Sequence, residues 1–349
     1  MLKKPAMFTD IHWGRKNNSP VHNQDCLDFV KWFCEETVRN DCDHIIFLGD
    51  WFQHRSAING MTLKMSLIAA GLLNDLNLPV YFITGNHDLY HRNNREVCLT
   101  SVFVEFDNFT VITKDSIEFE TSGGTVGVFP FLFPQEYDTL KAKTHISVMF
   151  GHFEFKGFVV TGDFYKMEHG PEHTEYNQHA KRIFSGHFHK RQIEDNIVYI
   201  GNAFPCDFSD KDDFDRGMAI YEYTSDELQF ISWPNAPSYI TTTLTELSTH
   251  AKTILREKAT VECVVDIDIN FKQSVKLRDT FIRKYKLREL TLKEPYVPAI
   301  SGTDDMKDIS GLDNMTTAEL VAELLDRVDH DDTFKERIKE EFKTVSKPE

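Results

Sequence analysis

Val80-Tyr81-Phe82-Ile83-Thr84-Gly85-Asn86-His87-Asp88 is the stretch that decides how this chain reads. Five apolar or β-branched residues followed by an abrupt polar break predict a buried strand that delivers side chains at its C-terminal end. Gly85 permits a tight turn, and the next two residues offer different chemistry. The Asn86 amide oxygen is a neutral, hard metal donor, whereas His87 gives or takes a proton near neutral pH. Alone, the tetrapeptide 85–88 reads more simply as an Asn-containing turn. Its meaning comes from four other strand ends that carry donors of the same kind.

Upstream, residues 4–9 predict a short strand that runs into Asp10-Ile11-His12. An Asp and a His two positions apart at a strand end project to the same side. Residues 23–38 follow at helical spacing (Cys26, Leu27, Val30, Phe33, Cys34, Val38), with Asn23 or Asp25 as the expected cap. Residues 44–48 form a second apolar run ending in Gly49-Asp50, a carboxylate placed to bridge two ions. Residues 62–76 read as an amphipathic helix leading back to residue 80. The order β-α-β-α-β predicts parallel strands with right-handed crossovers and functional ends on one edge.

Downstream, a helix is expected at 96–106, then short strands at 110–112, 116–120 and 125–129. A strand at 145–150 ends in Gly151-His152. Residues 153–181 read as a long connection, a length that usually carries function. A strand at 183–185 then delivers Gly186-His187-Phe188-His189, and strands at 198–200, 218–223 and 228–233 complete a second set.

The 349 residues carry a formal charge of −16, unevenly spread. Residues 301–349 hold 14 acidic and 7 basic side chains, whereas 272–293 hold 8 basic and 2 acidic. The basic stretch, with Arg283, Lys284 and Lys286, is a candidate polyanion contact, and the acidic tail a solvated or protein-facing surface. The 28 Phe and 41% hydrophobic content supply a packed core and argue against wholesale disorder. No apolar run reaches 18 residues and no signal-peptide pattern follows Met1, so a soluble, cytoplasmic protein without a membrane span is expected. The six cysteines form no C-x-x-C pair, which argues against a thiolate zinc site and for reduced, mostly buried thiols.

A domain boundary is expected near residues 234–237. The organisation then reads as a main domain at 1–236, a small α+β capping domain at 237–294, a linker at 295–314 and a helical segment at 315–349. The capping domain is expected to hold a strand at 260–269 and a helix at 274–285. The tail carries one apolar stripe at Leu320, Leu324 and Val328 and another at Phe334, Ile338 and Phe342. Tethered amphipathic helices of this kind dock on another chain more readily than an average helix does. No internal repeat and no G-x-x-x-x-G-K nucleotide loop occurs.

In sequence order the strand ends read D-x-H, G-D, G-N-H-D, G-H and G-H-x-H. Asp, Asn and His donors without Cys suit Mn²⁺, Mg²⁺ or Fe²⁺ better than structural zinc. They suffice for two ions: Asp10, His12 and His189 for one, Asn86, His152 and His187 for the other, and Asp50 between them. Two such ions roughly 3.5–4 Å apart polarise a phosphate and activate water. His87 is left over as the acid or charge stabiliser for the departing oxygen.

This order of motifs resembles the calcineurin-like metallophosphoesterases, and within them the SbcD/Mre-type DNA double-strand-break repair nucleases, including the small subunits of T-even-like phage recombination nucleases. The resemblance spans residues 5–233 and includes 151–158 and 199–202. It implies an α/β fold: a two-sheet sandwich flanked by helices, with a small capping domain and C-terminal helices. It also implies Asp10, His12, Asp50, Asn86, His152, His187 and His189 as ligands of two divalent ions, with Mn²⁺ foremost and Mg²⁺ second. His87 becomes the catalytic histidine. The implied partners are DNA and an SbcC/Rad-like ABC ATPase gripped by the tail, with a homodimer inside a heterotetramer. Such a complex would sit in the cytoplasm, the host's if phage-encoded.

One position departs from the pattern. Many cellular relatives have a histidine three residues after the bridging Asp; here Gln53 stands there, followed by His54 and Arg55. Two rival readings remain. A phosphatase or small phosphodiesterase of the same fold fits less well, because protein phosphatases carry G-D-x-x-D-R-G and G-N-H-E where this chain has residues 49–55 and Asp88. A metal-stabilised DNA or partner scaffold leaves His87 without a purpose.

Overall fold

Strand β1 (Pro5–Phe8) is buried on both faces, and its alternation gives each face a different partner. Ala6 and Phe8 join an apolar cluster on the helical side, whereas Met7 points between the two sheets. β2 (His44–Phe47) repeats the pattern, with Ile45 and Phe47 toward the helices and Ile46 toward the second sheet. In β3 (Val80–Ile83), Val80 and Phe82 take the helical side and Ile83 the inner side. A strand covered on both faces has no polar positions to alternate, so these segments read as unbroken apolar runs.

The computed structural model describes residues 1–161, 165–211 and 213–294. β1, β2, β3 and β4 (Phe109–Ile112) are parallel neighbours. The second sheet is built from β5 (Ile117–Thr121), β6 (Gly124–Val128) and β7 (Val148–Gly151), then, beyond the hairpin β8 (Val159–Thr161) and β9 (Tyr165–Lys166), from β10 (Arg182–Ser185), β11 (Gln192–Glu194) and β12 (Ile197–Tyr199). Its order is β11-β12-β10-β7-β6-β5, with β6, β7, β10 and β12 parallel. β13 (Gly217–Glu222) and β14 (Glu227–Ser232) return to the first sheet, giving the order β14-β13-β1-β2-β3-β4. Val126, Val128, Phe150, Phe184 and Val198 from one sheet meet Met7, Ile46, Ile83 and Tyr221 from the other, which closes the expected sandwich.

Chain reversals are made by the left-handed turn α1 (Arg15–Asn18) and by helices α2 (Pro20–Arg39), α3 (Gly60–Asn74) and the single turn α4 (Asp138–Lys141). α2 starts three residues before the expected position. Ser19 is its cap and Pro20 its first residue, whereas Asn23 and Asp25 are buried inside it. The helix expected at 96–106 is corrected to a 3-10 segment, Leu99–Glu105. Its β-branched Thr100, Val102 and Val104 disfavour an α-helix. The connection at 153–181 is not structureless either, since it carries β8 and β9.

Beyond Trp233 the chain builds a parallel three-stranded sheet from β15 (Ser238–Thr243), β16 (Ala259–Val264) and β17 (Glu289–Lys293). α5 (Leu244–Ile254) and α6 (Phe271–Tyr285) cover it, each opened by a capping box. This unit has its own core of Ile240, Leu247, Val261, Cys263 and Leu290. The linker at 295–314 and the helical segment at 315–349, with Leu320, Leu324, Val328, Phe334, Ile338 and Phe342, lie outside the described residues. Among the described residues no helix is long and apolar enough to cross a membrane.

Candidate metal centre

Every expected donor follows a parallel strand. β1 delivers Asp10 and His12, β2 Asp50, β3 Asn86 and His87, β7 His152, and β10 His187 and His189. Because both sheets present the same ends to one edge, donors as far apart in the chain as His12 and His189, 177 positions, meet. Asp10, His12, Asp50 and His187 all adopt positive φ, at 50°, 53°, 59° and 89°. Non-glycine residues held there cost about 1–3 kcal/mol each, and such strain gathers at functional sites. Close approach of the turns also needs absent side chains. A Cβ on Gly49 would stand 2.4 Å from His152 Nδ1, and one on Gly85 2.2 Å from Asp50 Oδ1.

Two donor clusters result. In the first, His12 Nε2 and His189 Nε2 are 3.0 Å apart, and both lie near Asp10 Oδ1, at 3.7 and 3.9 Å. In the second, the Asn86 amide oxygen is 3.0 Å from both His152 Nε2 and His187 Nδ1. Asp50 stands between the clusters, with Oδ2 at 3.4 Å from His152 Nε2 and 4.0 Å from His12 Nε2. Asp10, Asp50 and His152 also converge as a possible ligand group.

These spacings suit donors shared by a cation, since ligands about 2.0–2.2 Å from one ion stand some 3–4 Å from each other. The hydrogen bonding agrees. Asp10 Oδ1 is buried without a hydrogen-bond partner, while Oδ2 accepts from Thr9 Oγ1 and the His187 N–H. His152 Nδ1–H donates to the Leu48 carbonyl at 2.7 Å, which fixes the tautomer that turns the Nε2 lone pair toward Asp50. Burial lowers His12 well below its ordinary range, and lowers His189 too, so both rings are neutral donors at pH 7. Burial disfavours a charge on His152 as well, yet the Asp50 carboxylate outweighs it and raises that imidazole to about 9, so a cation taking its Nε2 would displace a proton there. Despite burial, the neighbouring imidazoles hold Asp50 well below the usual carboxylate range. The residues therefore fit divalent cations.

His87 is placed differently. Its backbone N–H donates to Asp50 Oδ1 at 2.8 Å and its ring Nδ1–H to the Gln53 carbonyl at 2.8 Å. The ring meets His12 edge-on at 5.1 Å. Nε2 is thus left to face the site. The Gln53 position serves His87 through its backbone, which any side chain there supplies. His54 is exposed and Arg55 is tied to the Leu89 carbonyl.

Two residues were missed as site members in the sequence. Asp88, fully buried, accepts from the backbone N–H groups of Asp50, Trp51, Phe52 and Gly85, so it pins two donor turns together. Burial and the Asp50 charge push its carboxyl up to about 7, against those four donors. Glu154 places Oε2 3.4 Å from His187 Nε2. Its signal was available, because H-x-E at 152–154 repeats the spacing of D-x-H and H-x-H. Arg283, Lys284 and Lys286 are exposed at the end of α6, and Lys286 is paired with Glu257 at 2.6 Å.

Residues 4–191 match the calcineurin-like phosphoesterase family, over more than half of the chain and through every donor turn. Exonuclease subunit 1 of Enterobacteria phage T4 is 28% identical over 231 residues, covering 64% of this chain and 65% of that protein. The DNA double-strand break repair protein Mre11 of Archaeoglobus fulgidus is 31% identical over 91 residues, 26% of this chain and 20% of that protein. The chain therefore matches less than two thirds of the length of these relatives. A dimetal phosphatase from Danio rerio aligns with 66% of this chain and 96% of its own, at 10% identity and a TM-score of 0.44. The two sequence relatives support a relationship to SbcD/Mre-type nucleases. By its motifs, its sandwich and its family match, the chain belongs to the calcineurin-like phosphoesterases.

Proposed function

We propose that this chain is a DNA nuclease dependent on two divalent cations, Mn²⁺ foremost and Mg²⁺ second. The observation that carries the reading is the meeting of seven Asp, Asn and His donors in two clusters around Asp50, with His87 beside them but bonded elsewhere. Asp10, His12 and His189 would hold one ion, Asn86, His152 and His187 the other, with Asp50 shared. When bound, the ions polarise a phosphodiester and lower the pKa of water. The chain's own residues orient and protonate. Asp50 holds the His87 backbone, and the Gln53 carbonyl fixes the His87 tautomer, so Nε2 is the atom positioned to protonate the departing oxygen. Thr9 and the His187 N–H hold Asp10 in register.

Several finer parts belong to the same proposal. Residues 1–236 form the nuclease domain, 237–294 the capping and DNA-binding domain, 295–314 a linker and 315–349 the segment that grips an ABC-type ATPase of the SbcC kind. Arg283, Lys284 and Lys286 contact the DNA backbone. Met61, Leu63, Leu67 and Ile68 leave an apolar face of α3 exposed, which supports a homodimer within a heterotetramer. The setting is recombination and double-strand break processing in the cytoplasm. The relatives named an exonuclease subunit and a DNA break repair protein favour DNA over a phosphomonoester.

The test is cleavage by the purified chain. Linear duplex DNA should be degraded with Mn²⁺ and left intact with a chelator. Turnover of a phosphomonoester with no attack on DNA would instead establish the phosphatase reading, and metal-bound but inert protein the scaffold reading.

A further inference from the structure

Beside the second donor cluster lies a cavity of about 460 Å³ that the proposed reaction leaves unused. Phe131, Leu132, Tyr137, Glu154, His169 and Tyr176 are among its walls. Two of its wall residues, Phe131 and Glu154, also touch donors of the metal centre. The Phe131 ring lies 6.2 Å from that of His152 and 6.3 Å from that of His187. Glu154, which reaches within 3.4 Å of His187 Nε2, lines the same cavity.

We infer that this cavity receives the unpaired base of the nucleotide whose phosphate occupies the metal centre. The inference rests on the nuclease reading above and names where that substrate's base goes. Size comes first: the volume is that of a site for one small ligand, and it leaves no room for a base pair carrying two backbones. Charge comes second. Asp138, Glu154 and Glu175 stand on the walls, and the lining Lys141 is already paired with Asp138 at 3.4 Å and Glu175 at 2.7 Å. A phosphate is repelled there, whereas a neutral planar ring is not. Stacking comes third. Half-buried Phe131 offers a π-face that accepts any base, while Tyr137 and Tyr176 are buried in the core and form fixed walls, Tyr137 with a hydroxyl that accepts the Glu154 N–H at 2.7 Å. A duplex end must therefore release its terminal base from the stack to be cut here, as enzymes acting on extruded nucleotides require.

The test uses the full chain with Mn²⁺ and reads binding. The fluorescence of 2-aminopurine 2′-deoxyriboside 5′-monophosphate should be quenched on saturation. Deoxyadenosine 5′-monophosphate should displace it at least about tenfold more tightly than 2-deoxyribose 5-phosphate, which has the same phosphate and no base. Phe131→Ala should close that gap. The comparison of the two competitors is made on the unaltered protein, so it stands even if the variant does not fold. Equal displacement by both competitors, in a preparation that cleaves linear DNA, overturns the base site and leaves the nuclease reading intact. Absence of DNA cleavage overturns the nuclease reading and this inference with it.

Discussion

Removing the Asp88 carboxylate should unfasten the metal centre without touching a donor. Asp88 Oδ2 accepts from Asp50 N at 3.1 Å, Trp51 N at 3.3 Å and Gly85 N at 2.9 Å, and Oδ1 accepts from Phe52 N at 2.9 Å. Hydrogen bonds to a charged acceptor contribute about 1.5–3 kcal/mol each, and buried N–H groups left without one are costly. Four bonds sharing two oxygens are not additive, and burial beside Asp50 already offsets part of their gain, so Asp88→Ala is expected to lose about 2–4 kcal/mol. Asp88→Asn separates charge from geometry. An amide with its oxygen at the Oδ2 position keeps three bonds but sets its NH₂ against the Phe52 N–H, for a cost of about 1–3 kcal/mol. Urea unfolding of the full chain at pH 8 in metal-free buffer measures both. Asp88→Asn is expected to be more stable than Asp88→Ala, because it keeps three of the four bonds and relieves the buried charge beside Asp50. Asp88→Ala within about 1 kcal/mol of wild type would refute the pinning role.

Three further outcomes are expected. His87→Ala should retain roughly two Mn²⁺ ions per chain yet cleave DNA far more slowly; collapse of metal content on analysis would make His87 a ligand. Burial lowers His22 to about 4, and its ring donates to the His12 carbonyl at 2.9 Å. Because folding keeps this ring neutral, its contribution is complete above pH 6.5 and falls by up to about 3 kcal/mol as the pH drops toward 4. His22→Gln should flatten that acid limb in urea titrations, and an unchanged slope would contradict the assignment. Reversing Arg283, Lys284 and Lys286 to Glu should weaken DNA binding and reduce its salt dependence. Lys286 should contribute least, since it is already paired with Glu257; unchanged affinity and salt slope would move the DNA path elsewhere.

The parts of this molecule visible in its sequence are those set by local periodicity. β1, β2 and β3 announce themselves as apolar runs because both faces are buried, and each donor turn follows directly on its strand. That rule carried Asp10 through His189 without any contact information. What the sequence hides depends on residues distant in the chain. Asp88 looks like a turn residue until its partners at positions 50–52 are known. The His87 tautomer rests on a carbonyl 34 positions away, at Gln53, where no side-chain pattern can mark it. β15 went unread although its Tyr239, Ile240 and three threonines favour a strand, because Pro234 and Pro237 just before it mark a boundary. β17 went unread because Glu289–Lys293 mixes charged and apolar residues and pairs only with β16. The Leu99–Glu105 segment shows the converse, where apolar spacing suggested a helix and β-branched residues prevented one.

The central claim is that two ions share one carboxylate, and Asp50→Asn tests it most directly. Elemental analysis of the purified, Mn²⁺-loaded protein should give roughly two ions per chain for wild type, and markedly less for the variant. DNA cleavage in the same preparations should fall by at least about 100-fold. An Asp50→Asn protein that keeps wild-type metal content and near-wild-type Mn²⁺-dependent cleavage would contradict the account.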